Sequence, residues 1–96
     1  MMVLITYDVN TESEGGKRRL RRVAKMCENF GQRVQNSVFE CLIDPVQLSD
    51  LRFRIEKEID KDRDSLRYYF LGANWQHRVE HVGAKKTYNP EGVIML

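Results

Sequence analysis

Apolar and polar positions along the chain follow two rhythms, and glycine, proline or a short polar run marks each change from one to the other. Residues 2–9, MVLITYDV, are β-branched, aromatic or long and aliphatic, and apolar on both alternating faces. That pattern predicts a strand in the middle of a sheet. A polar loop follows over 10–16. Over 17–30, Leu20, Val23, Ala24, Cys27 and Phe30 recur at helical spacing and give one buried stripe. Gly31 is placed to end that helix in a left-handed cap. Thr11-x-x-Glu14 has the form of a capping box at its start, although Gly15-Gly16 comes next.

Residues 32–43, QRVQNSVFECLI, are extended around a turn-prone Asn36-Ser37, which predicts a tight hairpin rather than one bent strand. Asp44-Pro45 opens a second helix, with the aspartate as N-cap, proline at the first helical position and Gln47 at the third. Leu48, Leu51, Ile55 and Ile59 line its buried side. The charged run DKDRD at 60–64 reads as a loop, and SLRYYFL at 65–71 as a strand ended by Gly72. A short further strand is expected over 78–82, and GVIML at 92–96 is an apolar tail.

The resulting order, β-α-β-β-α-β with an extension, is that of an α+β, ferredoxin-like sandwich with two helices on one face of an antiparallel sheet. The division expected is a domain over 1–83 and a tail over 84–96. Leu66, Tyr68 and Phe70 face one way on their strand, and Tyr69 and Leu71 the other. The helix-free face therefore needs a cover, and a second copy of the chain is the simplest one. The tail would then dock on the partner subunit as an added edge strand.

With 96 residues, a single small domain is expected, and dimerisation would enlarge a modest core. Hydrophobic residues make up 42% and charged residues 31%, an ordinary balance for a globular protein. No apolar run reaches the length of a membrane span and no signal peptide precedes the first strand, so a cytoplasmic setting without membrane contact is expected. Cys27 and Cys41 have neither CxxC spacing nor paired histidines, and read as buried thiols.

The net charge of +2 conceals an asymmetry. From Lys17 to Arg33, seven bases (five of them arginine) stand against one acid, a local +6; from Glu40 to Asp64, eight acids and five bases give −3. Lys17, Arg18 and Arg19 lie near the positive end of a helix dipole, where cations cost stability. That placement favours a surface for nucleic-acid backbone over a merely solvated face.

Asp8 is the other candidate. A strand-end aspartate is most often a turn former. Its chemical alternative is a ligand for Mg²⁺, or Mn²⁺ in its place, a hard cation that keeps several waters. One carboxylate is a poor site alone, and a two-fold axis beside the strand end would bring a second Asp8. Two facing carboxylates repel, and metal must displace protons to bind, so activity at such a site is expected to be stronger at neutral to alkaline pH. His77 and His81 share a strand face without a third ligand and read as surface or interface residues. The serines lie in no GxSxG context. Gly15-Gly16 matches no phosphate loop and reads as a source of mobility beside Asp8. Tyr7, Tyr68 and Tyr69 read as core or interface residues more readily than as base-stacking ones.

YDV at the end of the first strand, RLRRVAK in the helix, GQRVQNSVFEC after it and DSLRYYFLG further on resemble the Cas-two family of small CRISPR-associated adaptation proteins. The likeness runs from residue 1 to about 83. GKRRLRRVAK and NWQHRVEHVGAK look most like members that accompany type I-C systems. The resemblance implies a ferredoxin-like homodimer whose first-strand aspartates, here Asp8, face each other and bind Mg²⁺. It implies a metal-dependent endonuclease on RNA or duplex DNA. It also implies a role as adaptor between dimers of the CRISPR integrase during spacer acquisition, a role that does not require hydrolysis. Arg18, Arg19, Arg22 and Arg33 map onto nucleic-acid-binding positions; Tyr7, Ser37 and Phe39 map beside the metal aspartate as supporting residues. Two rival readings fit less well. An RNA-recognition module shares the element order but needs a glycine-containing aromatic run where this chain has SVFECLI. A ribonuclease toxin of similar fold would come with a neighbouring antitoxin gene.

Overall fold

The structure is a computed structural model and describes residues 1–71 and 79–84. Among them the order is β1 (Met2–Asp8), α1 (Glu14–Glu28), β2 (Gly31–Gln35), β3 (Val38–Leu42), α2 (Pro45–Glu58), β4 (Ser65–Phe70) and β5 (Val79–Gly83). The strands form one sheet in the order β2-β3-β1-β4-β5, with every adjacent pair antiparallel. The apolar first strand is central, between β3 and β4, as its two-faced pattern predicts. Strand β5 extends the sheet beyond β4. The tail 85–96, Gly72 and His77 lie outside the described residues.

Both helices cover one face. Val3, Ile5 and Tyr7 of β1, Phe39 and Cys41 of β3, and Leu66 and Tyr68 of β4 point into a core closed by Val23, Ala24 and Cys27 of α1 and by Leu48, Leu51 and Ile55 of α2. The helical stripes read from the sequence are the ones that are buried. The opposite face carries the alternate residues: Met2, Leu4, Thr6 and Asp8 on β1, opposite Leu42, Glu40 and Val38 on β3 and Tyr69, Arg67 and Ser65 on β4. No helix lies over it among the described residues. Leu42 is 67% exposed there, whereas Tyr69 and Ser65 are buried.

The hairpin turns at Asn36-Ser37 as expected, with a bulge between Arg33 and Gln35. The second helix starts as its sequence predicts. Asp44 accepts from the Gln47 amide at 2.7 Å, and the Gln47 side chain accepts from the Asp44 amide at 3.1 Å, a complete capping box behind Pro45.

Three local expectations are corrected. The first helix begins at Glu14, and its N-cap is Ser13, whose Oγ accepts from the Gly16 amide at 3.0 Å; Thr11 plays no such part. Gly15 and Gly16 thus belong to the first helical turn and supply no loop mobility. Gly16 is buried where a Cβ would meet the Asn10 carbonyl oxygen at 1.7 Å, so the close approach of the loop requires glycine. Gly31 is likewise no left-handed cap: the helix ends at Asn29 in right-handed geometry. Gly31 opens β2 opposite Cys41, where a Cβ would come within 1.8 Å of the Glu40 carbonyl oxygen.

Candidate functional site

Alternation along β1 decides where Asp8 goes. Tyr7 points into the core, so its neighbour must emerge on the helix-free face, and Asp8 is exposed there at the strand end. Its register partner is Ser65 at the start of β4. On the other side, the Tyr7 amide donates to the Ser37 carbonyl at 2.9 Å, which seats the β2–β3 turn against the end of β1. Ser37 thus lies opposite Tyr7, one residue before Asp8, at the end of the strand. Tyr7 and Phe39, also expected to support the site, are buried on the opposite face: Phe39 pairs with Ile5 and lies under the Arg33 guanidinium, 5.7 Å from the ring centre. Neither side chain reaches the face that carries Asp8, because both face the helices.

An exposed carboxylate on a strand end is a suitable oxygen donor for a hard divalent cation. Among the described residues, however, no three acidic, histidine or cysteine side chains gather as a metal site. The donor set of one chain is thus Asp8, and the fit to Mg²⁺ depends on a second carboxylate brought by another copy.

A different aspartate occupies the buried position behind it. Asp64, the last residue of the charged DKDRD run, has no exposed surface. Its Oδ2 accepts from the Tyr7 hydroxyl, from Arg19 Nε at 2.8 Å and from the Asp60 amide at 3.0 Å; its Oδ1 accepts from Arg19 Nη2 at 3.1 Å. Burial alone would raise its pKa, but the donors from Arg19, Tyr7 and Asp60 outweigh it and hold the carboxyl below the usual range. Burial and the bond to Asp64 push the Tyr7 hydroxyl up, so it remains a donor. Hydrogen bonding to Asp64 raises Arg19, which stays a cation. The result is a satisfied bidentate ion pair.

The basic helix therefore divides by face. Arg18, Arg21, Arg22 and Lys25 are exposed along its outer side, where they form a continuous positive stripe. Arg22 touches Glu58 at 3.2 Å while remaining largely in solvent. Arg19, expected among the nucleic-acid contacts, turns inward to Asp64 with only 19% of its side chain exposed. Arg33 is exposed on β2, its Nε donating to the Asn36 carbonyl at 2.7 Å. The stripe lies on the helix layer, and Asp8 on the far face of the sheet.

The remaining candidates behave as structural residues. Tyr7 and Tyr68 are core and Tyr69 is buried. His81, opposite Arg67, has its pKa lowered by burial and by that guanidinium. Cys27 and Cys41 are unbridged and buried; contact with the Cys41 thiol and burial push the Cys27 thiol up.

Comparison with known proteins decides the family. The family described as "CRISPR associated protein Cas2" matches residues 1–79. This chain belongs to the Cas2 family. The CRISPR-associated endoribonuclease Cas2 of Chlorobaculum tepidum is 60% identical over 96 residues, spanning 100% of both chains. The CRISPR-associated endonuclease Cas2 of Halalkalibacterium halodurans is 57% identical, again over 100% of both. The crystal structure of Streptococcus pyogenes Cas2 at pH 6.5 superposes with a TM-score of 0.74 at 59% identity, covering 83% of this chain and 96% of that one. The ferredoxin-like architecture read from the sequence is thus the architecture of Cas2.

Sequence reasoning missed Asp64. The signal was present: it is an aspartate at the mouth of a buried strand, the same feature that singles out Asp8. Its place in a run of charged residues concealed it, and its partners lie 45 and 57 residues away.

Proposed function

We propose that this Cas2 chain acts as a homodimer in CRISPR adaptation and carries a Mg²⁺-dependent endonuclease site, with Asp8 of each protomer holding one ion across a two-fold axis. The observation that carries the reading is Asp8 itself: one exposed carboxylate at a central strand end, on the sheet face that lacks helices. A face bearing Leu42, Leu4, Val38 and Met2 suits a second copy, and a two-fold axis beside the end of β1 would bring the two Asp8 carboxylates together. Relatives named as endoribonuclease and as endonuclease support phosphodiester cleavage. The ion, when bound, supplies charge neutralisation and activation of water at the phosphodiester. The chain's own residues do the rest: Asp8 anchors the ion, the backbone bond from Tyr7 to Ser37 holds the neighbouring turn in place, and exposed arginines grip the phosphate backbone.

A second reading has its own observation. The stripe of Arg18 and Arg22 faces away from Asp8, so duplex DNA bound there is gripped independently of the aspartate. That arrangement suits an adaptor that presents a protospacer duplex to the CRISPR integrase without cutting it. Arg33, exposed on the edge strand β2, supplies a further cation.

One experiment separates them. Wild type and Asp8→Asn are compared on a labelled DNA duplex and on an RNA, each in Mg²⁺ and in EDTA, with cleavage and binding both recorded. Metal-dependent cleavage by wild type, absent from a variant that still binds, supports the nuclease. Equal duplex binding with no cleavage by either supports the adaptor and overturns the nuclease.

A further inference from the structure

The buried carboxylate lies directly behind the exposed one. Asp64 precedes Ser65, and Ser65 is the register partner of Asp8. Tyr7 precedes Asp8, and its hydroxyl is bound by Asp64. The two backbone segments that flank Asp8 are therefore fastened, on the reverse side of the sheet, to one side chain.

That side chain joins more than two strands. Arg19 brings the first turns of α1, through Nε at 2.8 Å and Nη2 at 3.1 Å. The Asp60 amide brings the loop after α2, at 3.0 Å. The main chain of Asp64 adds β5: its carbonyl accepts from the Ala84 amide at 3.0 Å. Next to it, Gly83 has a φ of +123°, and a Cβ there would stand 2.0 Å from that carbonyl oxygen. Helix, loop and strands thus meet at the sheet end that carries Asp8.

A buried ion pair contributes little to net stability compared with apolar side chains of the same volume, so its presence calls for another reason. Fixing geometry is such a reason, because a metal ligand must be held to within a fraction of an ångström and its support must itself be locked. We propose that Asp64 is a positioning residue: with Arg19 and Tyr7 it fixes the end of β1 against β4, so that the Asp8 carboxylates of two protomers meet at the separation a divalent cation requires. This rests on the reading of Asp8 as a metal ligand, and it assigns Arg19 to the site's framework instead of the nucleic-acid surface.

The test uses the full-length dimer and Mn²⁺ as probe, followed by electron paramagnetic resonance. Arg19→Met with Asp64→Leu replaces the ion pair by apolar groups and leaves only the Tyr7 hydroxyl and the Asp60 amide without their acceptor, and Tyr7→Phe removes one bond while leaving the ion pair. Circular dichroism and sedimentation verify fold and dimer. The expected result is Mn²⁺ affinity weaker by tenfold or more in the double variant, with a smaller loss in Tyr7→Phe. In cleavage assays kcat falls while KM for nucleic acid holds. Wild-type Mn²⁺ affinity in a folded, dimeric double variant overturns the positioning role alone. Mn²⁺ binding that Asp8→Asn leaves unchanged overturns the metal reading and this inference with it.

Discussion

Asp8 and Asp64 stand back to back at one end of the sheet, the first exposed on the helix-free face and the second buried against the helices, with Ser65 adjoining both. A charge at the mouth of a buried strand is costly, and here it is Asp64 that bears the cost and Arg19 that offsets it. The exposed carboxylate faces solvent, while the buried one holds the framework.

Breaking that pair from one side leaves a buried charge uncompensated. Arg19→Met, which leaves the fully buried Asp64 without its counter-charge, is expected to destabilise the protein by about 3–5 kcal/mol. Arg19→Met with Asp64→Leu should cost less, because no charge is left unpaired and only two neutral donors, the Tyr7 hydroxyl and the Asp60 amide, lose their acceptor. Urea unfolding of both variants checks the contrast, and equal losses would remove the ion pair as the cause.

The same network sets an acid limit. Asp64 has a folded-state pKa below its unfolded value, so its contribution is fully present above the usual carboxylate range and is lost as pH falls through the folded value. Wild type should therefore weaken steeply below about pH 4. The double variant should show a shallower decline over that window. Denaturant midpoints measured from about pH 7 down to about pH 2.5 give both curves; identical slopes would rule Asp64 out as a source of acid sensitivity.

Much of the architecture was legible because it is written in local signals. The helical stripe Val23, Ala24, Cys27, the Asp44-Pro45-Gln47 start and the Asn36-Ser37 turn each depend on neighbours a few residues apart, and each is found where the sequence places it. The glycines were misread because their reason is not local. Gly31 and Gly16 look like breakers in a linear reading, yet each is required by a backbone carbonyl, at Glu40 and at Asn10 respectively. The inward turn of Arg19 was hidden for the same cause. In the run of basic residues it resembles Arg18 and Arg22, and only the fold reveals that one of the three turns inward.

The two adjacent glycines give a sharp contrast. A Cβ at Gly15 meets only Arg19 Nη1, at 3.4 Å, whereas one at Gly16 collides with the Asn10 carbonyl. Gly15→Ala should leave stability unchanged or raise it by about 0.5–1 kcal/mol through helix propensity. Gly16→Ala should lower it by about 1–3 kcal/mol as the loop is forced away. Thermal melts of the two single variants are sufficient, and a stable Gly16→Ala protein would show that the loop yields easily.

Duplex binding should depend on the outer face of α1. Deleting one cation that neutralises a phosphate reduces the slope of log affinity against log salt by about 0.9. Arg18→Ala with Arg22→Ala is expected to weaken binding and flatten that slope by roughly 2. Arg19→Met with Asp64→Leu should retain the wild-type slope. Fluorescence anisotropy across a salt series distinguishes the two, and a slope unchanged by Arg18→Ala with Arg22→Ala would move the nucleic-acid surface elsewhere.

Dimerisation through the helix-free face can be tested without disturbing the fold. Leu4 lies at the middle of that face, opposite Glu40 on one side and Tyr69 on the other. A lysine at this position faces Glu40 across the strand pair, an opposite-charge arrangement that an exposed antiparallel sheet accepts. Against a second sheet, however, the same ammonium must give up its water, which disfavours association. Leu4→Lys should therefore keep the wild-type circular dichroism spectrum and sediment as a monomer. If two Asp8 carboxylates share the ion, the monomer should also lose Mn²⁺ affinity although Asp8 is untouched. A Leu4→Lys protein that remains dimeric would place the interface elsewhere, and a monomer that binds Mn²⁺ as wild type does would show that one Asp8 is enough.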